Sequence, residues 1–130
     1  MFFGEKDFQQ TMVVQKLIDD YFKDIKMIVC PTIRAKNGLA LSSRNSLLSK
    51  QVKKNISIIY NSLLFAKQNF YKFSAKELKK IIKSNIEKNQ GFLLEYFELR
   101  CSKTLKICNH ENNHNSSCRA FICVVADGVR

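Results

Sequence analysis

The apolar residues near the start of the chain follow a helical spacing and then a strand spacing. Between residues 8 and 22 they recur at the i, i+3, i+4 and i+7 positions of an amphipathic helix, namely Val14, Leu17, Ile18 and Tyr21. Asp7 directly precedes this stretch and is predicted to cap the helix with its side chain. Residues 25–29 then alternate as in a short strand, which Pro31 ends.

The middle of the chain carries two further helical patterns. From Ser49 the intervals between apolar residues alternate between four and three, which predicts one long helix with a single buried stripe formed by Val52, Ile56, Ile59, Leu63, Ala66 and Phe70. Ser74 and Glu77 have the spacing of a capping box at the start of the next helix. The stripe of that helix is Leu78, Ile81, Ile82 and Ile86, and Gly91 is predicted to close it.

The last part of the chain has the pattern of β-strands. Residues 92–100, 104–108 and 119–126 are predicted strands, and an Asn-rich loop separates the last two. The order of elements predicts an α+β fold, in which a small domain packs two or more helices on a three-stranded antiparallel sheet.

Composition and charge narrow the classes of partner. An apolar content of 45% is enough for a packed core, and the net charge of +11 attracts anions. The lysines fall between the apolar positions of the predicted helices, which is typical of solvated helix faces, so we expect no nucleic-acid surface. No apolar run reaches the ~20 residues that span a bilayer, so we expect no membrane partner.

The chain contains five cysteines, an odd number, and starts without a charged-then-apolar leader. These two features predict a cytoplasmic protein with free thiols.

A first polar stretch with candidate chemistry surrounds the start of the first helix. Gly4 permits close approach of a ligand to the backbone. Lys6 and Asp7 stand where free helix amides and an ammonium group face the same point, which suits a phosphate. Gln10, one turn later, offers both a donor and an acceptor. By itself the spacing favours an ordinary capped helix after a strand.

A second polar stretch follows the turn signal Asn37-Gly38. Ser42, Ser43 and Arg44 stand in a row and supply two hydroxyls and a guanidinium, a set that can hold a phosphate. By itself this stretch is explained just as well as an ordinary polar loop that leads into a helix.

The two stretches together carry a more specific signal. Phe-Gly-Glu-Lys-Asp-x-Gln-Gln from Phe3, then Pro-Thr-x-Arg from Pro31 and Gly-Leu-Ala-x-Ser-Ser-Arg-Asn from Gly38, resemble the pantothenate synthetases in order and spacing. These are the pantoate–β-alanine ligases of the nucleotidyltransferase superfamily. The resemblance covers residues 3–45 closely and the remainder in its order of elements.

The resemblance implies a function for each matching position. ATP would contact Gly4, Glu5, Lys6, Asp7, Ile33, Leu41, Ser42, Ser43 and Arg44. Within that set Lys6, Ser42, Ser43 and Arg44 would be catalytic, and Gln10 would hold pantoate. The implied reaction consumes ATP with Mg²⁺, forms pantoyl adenylate, and passes the pantoyl group to β-alanine.

The resemblance also implies a division of the chain and a missing part. Residues 1–32 would be the end of a Rossmann-like domain that binds ATP and pantoate, with an exposed apolar face, and residues 33–130 a C-terminal lid domain. The His-x-Gly-His element of the family is absent, since the histidines are His110 and His114. We therefore expect negligible ligase activity from this chain alone. Dimers of the family form mainly through the domain that precedes residue 1.

A different interpretation makes the chain a small basic module that binds nucleic acid or protein. Cys108, His110, His114 and Cys118 could close around a structural Zn²⁺, although a variable hairpin loop also explains them. The two interpretations differ in one structural requirement. A ligase needs the loop with Ser42 and Arg44 to face the start of the first helix across a cleft.

Overall fold

The computed structural model describes residues 1–108 and 117–130. Its helices and strands, in chain order, are β1 (Phe2–Gly4), α1 (Phe8–Tyr21), β2 (Ile28–Cys30), α2 (Lys50–Asn55), α3 (Ser57–Gln68), α4 (Ala75–Glu87), β3 (Phe92–Cys101) and β4 (Cys118–Ala126). Short 3-10 turns occur at Glu5–Asp7 and Ser43–Leu47.

The first three elements form a βαβ unit. Strands β1 and β2 pair in parallel, with Phe2 opposite Ile28, and α1 makes the crossover that parallel neighbours require. The predicted helix is thus confirmed, and the strand that follows it begins three residues later than predicted, at Ile28. Asp7 occupies the cap position of α1, but its side chain makes no capping hydrogen bond, so that prediction is wrong. Asp7 is instead the last residue of the 3-10 turn Glu5–Asp7, which leads directly into α1.

The βαβ unit exposes an apolar face. Phe2, Val13 and Tyr21 are each about 70% or more exposed, and Ile28 and Val29 of β2 are each more than 40% exposed. This is the exposed surface that the sequence predicts for residues 1–32. Parallel sheets are normally covered on both faces, so an exposed apolar surface is unusual for a parallel pair of strands.

The main core lies between the helices α2–α4 and the antiparallel pair β3–β4. Leu78, Ile82 and Ile86 on α4 are fully buried, and the predicted capping box of Ser74 and Glu77 is present in full. Strand β3 has a bulge at Glu95, between Leu94 and Tyr96. The buried side chains are therefore at even-numbered positions before the bulge and at odd-numbered positions after it, namely Phe92, Leu94, Phe97 and Leu99.

The predicted long helix is two helices, α2 and α3, which meet at Ile56. The amide of Ile59 donates to the carbonyl of Ile56 at 3.2 Å, a tight turn that keeps the buried stripe facing the core on both sides. Gly91 does not close α4, which ends at Glu87; it turns the chain into β3 with a φ of +85°. No helix within residues 1–108 and 117–130 is long and apolar enough to cross a membrane.

The predicted third strand does not form. Residues 104–108 make a single antiparallel bridge, between Ile107 and Arg100, so the sheet has two strands in the part of the chain that the structure describes. Leu105 interrupts the extended run with a φ of +56°, a left-handed conformation that strands do not contain.

Two cysteines are paired. Cys108 and Cys118 form a disulfide, with their Cα atoms 6.4 Å apart. The prediction of free thiols is therefore wrong for these two. The disulfide also uses both thiolates that the zinc hypothesis requires, and the described ranges contain no cluster of three or more metal-ligating side chains. His110 and His114 lie outside the described residues.

Thiol titration tests this pairing. Protein purified and denatured without reductant should contain three titratable thiols, because Cys30, Cys101 and Cys123 lie outside the disulfide. Reduction should raise the number of thiols to five, one for each cysteine. Cys108→Ser leaves Cys118 unpaired and is expected to show the same count with and without reductant. Five thiols in the unreduced native chain would contradict the pairing.

Candidate functional site

A cavity of about 550 Å³ lies where the Glu5–Asp7 turn, the loop after Gly38 and strand β4 meet. Lys6 and Asp7 line it from the turn, and Ser42 and Arg44 line it from the loop. The two polar stretches of the sequence thus meet at one cleft, which is the arrangement that a ligase requires.

The cavity has an excess of positive charge. Lys6, Arg44 and Arg130 line it against one carboxylate, that of Asp7. Partly enclosed walls concentrate the field of such groups, so the cavity attracts anions.

Several predicted site residues do not line this cavity: Gly4, Glu5, Gln10, Ile33, Leu41 and Ser43. Gln10 is exposed on α1. Ile33 and Leu41 lie side by side, because the amide of Leu41 donates to the carbonyl of Ile33 at 2.9 Å, and both side chains are more than half exposed. The Asn-Gly turn between them could be predicted from sequence, but the pairing that the turn produces could not.

The loop that carries Ser42 is held by its own hydrogen bonds. The Ser42 hydroxyl accepts from the amide of Arg44 at 3.3 Å, and the side-chain amide of Asn45 donates to the carbonyl of Ala40 at 3.1 Å. Leu48, buried in the main core, fixes the end of the loop. Sequence reasoning missed this function of Asn45, although an Asn in a tight turn is a usual sign of it.

Gly38 fixes the other end of the loop. Its φ is +83°, and a Cβ atom at this position would lie 2.2 Å from the Tyr60 ring on α3. Arg34 donates to the carbonyl of Gly38 at 3.1 Å and lies 4.8 Å above the same ring. Only glycine permits this contact between the loop and α3.

The turn on the opposite side of the cavity has open space beside it. Gly4 has ordinary extended dihedrals, and a Cβ atom there would meet nothing within 4 Å. No neighbour in the described chain therefore requires glycine at this position. Lys6 and Asp7 are both exposed, with the ammonium nitrogen 4.0 Å from a carboxylate oxygen.

Strand β4 holds this turn from outside. Arg119 donates to the Glu5 carboxylate at 2.9 Å, and its guanidinium carbon lies 4.1 Å above the Phe8 ring. Phe121, two residues along the strand and so on the same face, contacts the Phe8 ring with centroids 5.9 Å apart. Sequence reasoning missed Arg119 and Phe121, because nothing local in a strand indicates a partner more than a hundred residues away.

The remaining wall carries Tyr96, Cys123 and Arg130. The Cys123 thiol donates to the Glu95 carboxylate at 2.9 Å, and Arg130 bonds the same carboxylate at 2.6 Å. Burial raises the pKa of the Cys123 thiol, and the bond to Glu95 raises it further. Burial also raises the pKa of the Tyr96 phenol. Both groups stay protonated at neutral pH, so this wall offers neither a thiolate nor a phenolate nucleophile.

Known proteins resemble this chain in sequence and in fold. The family model described as pantoate–β-alanine ligase matches residues 1–130. The pantothenate synthetase of Christiangramia forsetii is 40% identical over 129 residues, which cover 99% of this chain and 45% of that protein. That of Flavobacterium psychrophilum is 39% identical with the same coverage. The chain thus spans less than half the length of these relatives.

Solved structures agree with the sequence relatives. A crystal structure of pantothenate synthetase from Thermus thermophilus superposes with a TM-score of 0.74 at 26% identity, over 97% of this chain and 49% of that one. The pantoate–β-alanine ligase from Francisella tularensis, crystallised with beta-gamma ATP and β-alanine, superposes with a TM-score of 0.66 at 32% identity, over 98% of this chain and 40% of that one. On these matches the chain belongs to the pantoate–β-alanine ligase family.

Proposed function

We propose that the chain is the C-terminal part of an ATP-dependent ligase that condenses pantoate with β-alanine through pantoyl adenylate. The observation that carries the proposal is the cavity that brings Lys6 and Asp7 together with Ser42 and Arg44. Residues 1–32 then belong to the ATP- and pantoate-binding domain, and residues 33–130 form the lid. The Francisella relative supports the ligand class, since its structure contains ATP and β-alanine ligands.

The cations of the cavity suit the first half-reaction. A pantoate carboxylate oxygen attacks the α-phosphorus of ATP, the bond to the β-phosphate oxygen breaks, and pyrophosphate leaves. Charge builds on the α-phosphate and on the leaving group, and Lys6 and Arg44, with the hydroxyls of Ser42 and Ser43, are suited to stabilise it. A carboxylate is already a nucleophile, so this step needs no general base.

The second half-reaction forms the amide. The amine of β-alanine attacks the acyl carbon of pantoyl adenylate, AMP leaves with the bonding electrons, and the amine loses a proton to solvent. The protein contributes by holding the two reactants together and excluding water, which would hydrolyse the adenylate.

Four further predicted residues, Gly4, Gln10, Ile33 and Leu41, lie outside the cavity lining but are exposed, so they are accessible to a substrate. The exposed pair Ile33 and Leu41 offers an apolar edge and a backbone for adenine. Gly4 leaves the open space that close approach of a nucleotide needs. Gln10 is available on the exposed side of α1 for a hydroxyl or carboxylate of pantoate.

Mg²⁺ fits this cavity as a companion of ATP. Magnesium is commonly bound through one or two carboxylates together with substrate phosphates, and Asp7 supplies one carboxylate. When bound, the ion would neutralise part of the triphosphate charge.

Assembly and location follow from the same proposal. The resemblance implies dimers that form through the nucleotide-binding domain, of which residues 1–32 would be the end, and an enzyme of the cytoplasm, where a disulfide such as Cys108–Cys118 is uncommon. The alternative of a zinc-stapled binding module loses its support, because Cys108 and Cys118 are bonded to each other.

A chimeric enzyme tests the proposal. Residues 1–130 would replace the matching 45% of the Christiangramia forsetii relative, to which they are 40% identical. We expect the chimera to release AMP and pantothenate from ATP, pantoate and β-alanine, because the joined halves complete one cleft. The isolated chain should release AMP at background rates.

Two results would contradict the proposal. One is a folded chimera that forms neither pantothenate nor AMP when each substrate is saturating. The other is an isolated chain that makes pantothenate at enzyme-like rates, which would show that no further nucleotide-binding part is needed.

A further inference from the structure

Contacts of Glu5 and Phe8 with strand β4 join the βαβ unit to the lid near the cavity. Residues 1–32 contribute nothing to the main hydrophobic core, which is built from residues of the lid. Yet Lys6 and Asp7 belong to this unit while Ser42 and Arg44 belong to the lid. Some contact outside the core must therefore set the distance across the cavity.

Arg119 makes that contact on both sides of the Lys6–Asp7 pair. Its guanidinium bonds Glu5, the residue before the pair, at 2.9 Å. The same group lies 4.1 Å above the ring of Phe8, the residue after the pair. Because Glu5 and Phe8 are both held, the two residues between them have little freedom to turn away from the cavity.

Resting on the proposed function, we propose that Arg119 is a positioning residue for the nucleotide site. It holds the Glu5–Phe8 turn against β4, so that Lys6 and Asp7 face the loop of Ser42 and Arg44. Arg119 itself does not line the cavity.

The contacts of Arg119 with Glu5 and Phe8 have modest free energies, as expected for a residue that positions its neighbours. The Arg119 and Glu5 side chains are each about one-third exposed, so the ion pair is only partly desolvated. A pair of this kind, with a cation–π contact added, is modest in free energy, but its planar geometry is specific. Strand β4 also supplies Ile122 and Val124 to the cavity wall, so one strand sets both the wall and the turn.

The chain offers a closely matched control. Arg100 stands directly opposite Arg119 in the β3–β4 register. It bonds Glu98 at 2.6 Å and the carbonyl of Leu105 at 2.8 Å, within the lid. Arg100→Met and Arg119→Met therefore remove the same charge from the same part of the sheet, but only the second releases Glu5.

The test uses the 130-residue chain labelled with ¹⁵N. Residual dipolar couplings report whether the βαβ unit and the lid share one orientation, without any nucleotide. We expect a single alignment for the native chain and for Arg100→Met. For Arg119→Met we expect the couplings of residues 1–32 to fall and to fit a separate alignment, while amide shifts of α4 stay unchanged.

A titration with a non-hydrolysable ATP analogue follows on the same samples. We expect shifts at Lys6 and Ser42 in the native chain, and an affinity lower by about 3- to 10-fold in Arg119→Met than in Arg100→Met, the effect of losing a partly exposed ion pair. Glu5→Gln, which lies outside the core, should change the dipolar couplings in the same direction and guards against a variant that fails to fold; its affinity does not serve as a readout, because Glu5 is itself a predicted ATP contact.

The outcomes separate the two proposals. A single alignment in Arg119→Met, with an affinity equal to that of Arg100→Met, would overturn the positioning role and leave the proposed function intact. A native chain that binds no analogue at millimolar concentration would count against the proposed function. In that case the dipolar couplings alone decide whether Arg119 holds the turn.

Discussion

Replacing Lys6 with methionine in the chimeric enzyme should lower the rate of pantoyl-adenylate formation by about 10²- to 10³-fold, the usual effect of removing one group that stabilises transition-state charge. Methionine keeps most of the length of the side chain and removes the charge. Lys6 is one of the three cations that line the cavity, so two would remain. Pyrophosphate release from ATP and pantoate, measured without β-alanine, isolates this step.

The two kinetic constants distinguish the function of Lys6 from simple attraction of ATP. Losing a contact that forms only in the transition state lowers kcat, whereas losing a ground-state contact raises KM at constant kcat. We expect the loss mainly in kcat. Lys16→Met is the matched control, because Lys16 lies on α1, pairs with Asp20 and is 78% exposed. Equal effects of the two substitutions would show that only the overall charge matters.

Replacing Ile82 with alanine should lower the free energy of unfolding of the chain by about 2–5 kcal/mol, the range for buried aliphatic side chains cut to alanine. Ile82 is fully buried on α4, at the centre of the stripe that includes Leu78 and Ile86. The loss combines the apolar surface no longer buried with the cavity that remains. Urea denaturation followed by circular dichroism measures it.

The control for this substitution is another isoleucine of the same chain. Ile107 is 70% exposed, so Ile107→Ala should change the free energy of unfolding by no more than about 0.5 kcal/mol. Equal losses for the two variants would mean that α4 does not pack as described. A lower denaturant slope in Ile82→Ala would instead indicate a change in the unfolded or native compactness.

The parts of the fold that could be predicted from sequence are those with a strong local signal. Helix α4 has a capping box at Ser74 and an uninterrupted stripe, and both are present in the structure. The break at Ile56 could not be predicted, because the apolar spacing continues through it. The prediction of a third strand was wrong for a different reason. A pattern of residue types does not reveal that Leu105 takes a left-handed conformation.

The candidate site also has a part that could be predicted from sequence and a part that could not. Lys6 and Ser42 could be named from sequence only because two motifs occur in a family order; each motif alone fits an ordinary turn. Their meeting at one cavity depends on contacts between distant parts of the chain. The pair of Arg119 with Glu5 joins residues 114 positions apart, and neither residue has a local feature that identifies its partner.

The separation of the βαβ unit from the main core also bears on the order in which the chain loses structure. Segments with few buried apolar contacts open at lower free energy than the packed core, so in the 130-residue chain we expect residues 1–32 to open before the main core. Lys6 then belongs to the segment that opens first, whereas Arg44 belongs to the lid, which opens last. A nucleotide that bridges them stabilises only the closed form, so binding and local folding are thermodynamically linked. On the proposed function, part of the free energy of ATP binding would therefore go into ordering the half of the site that contains Lys6.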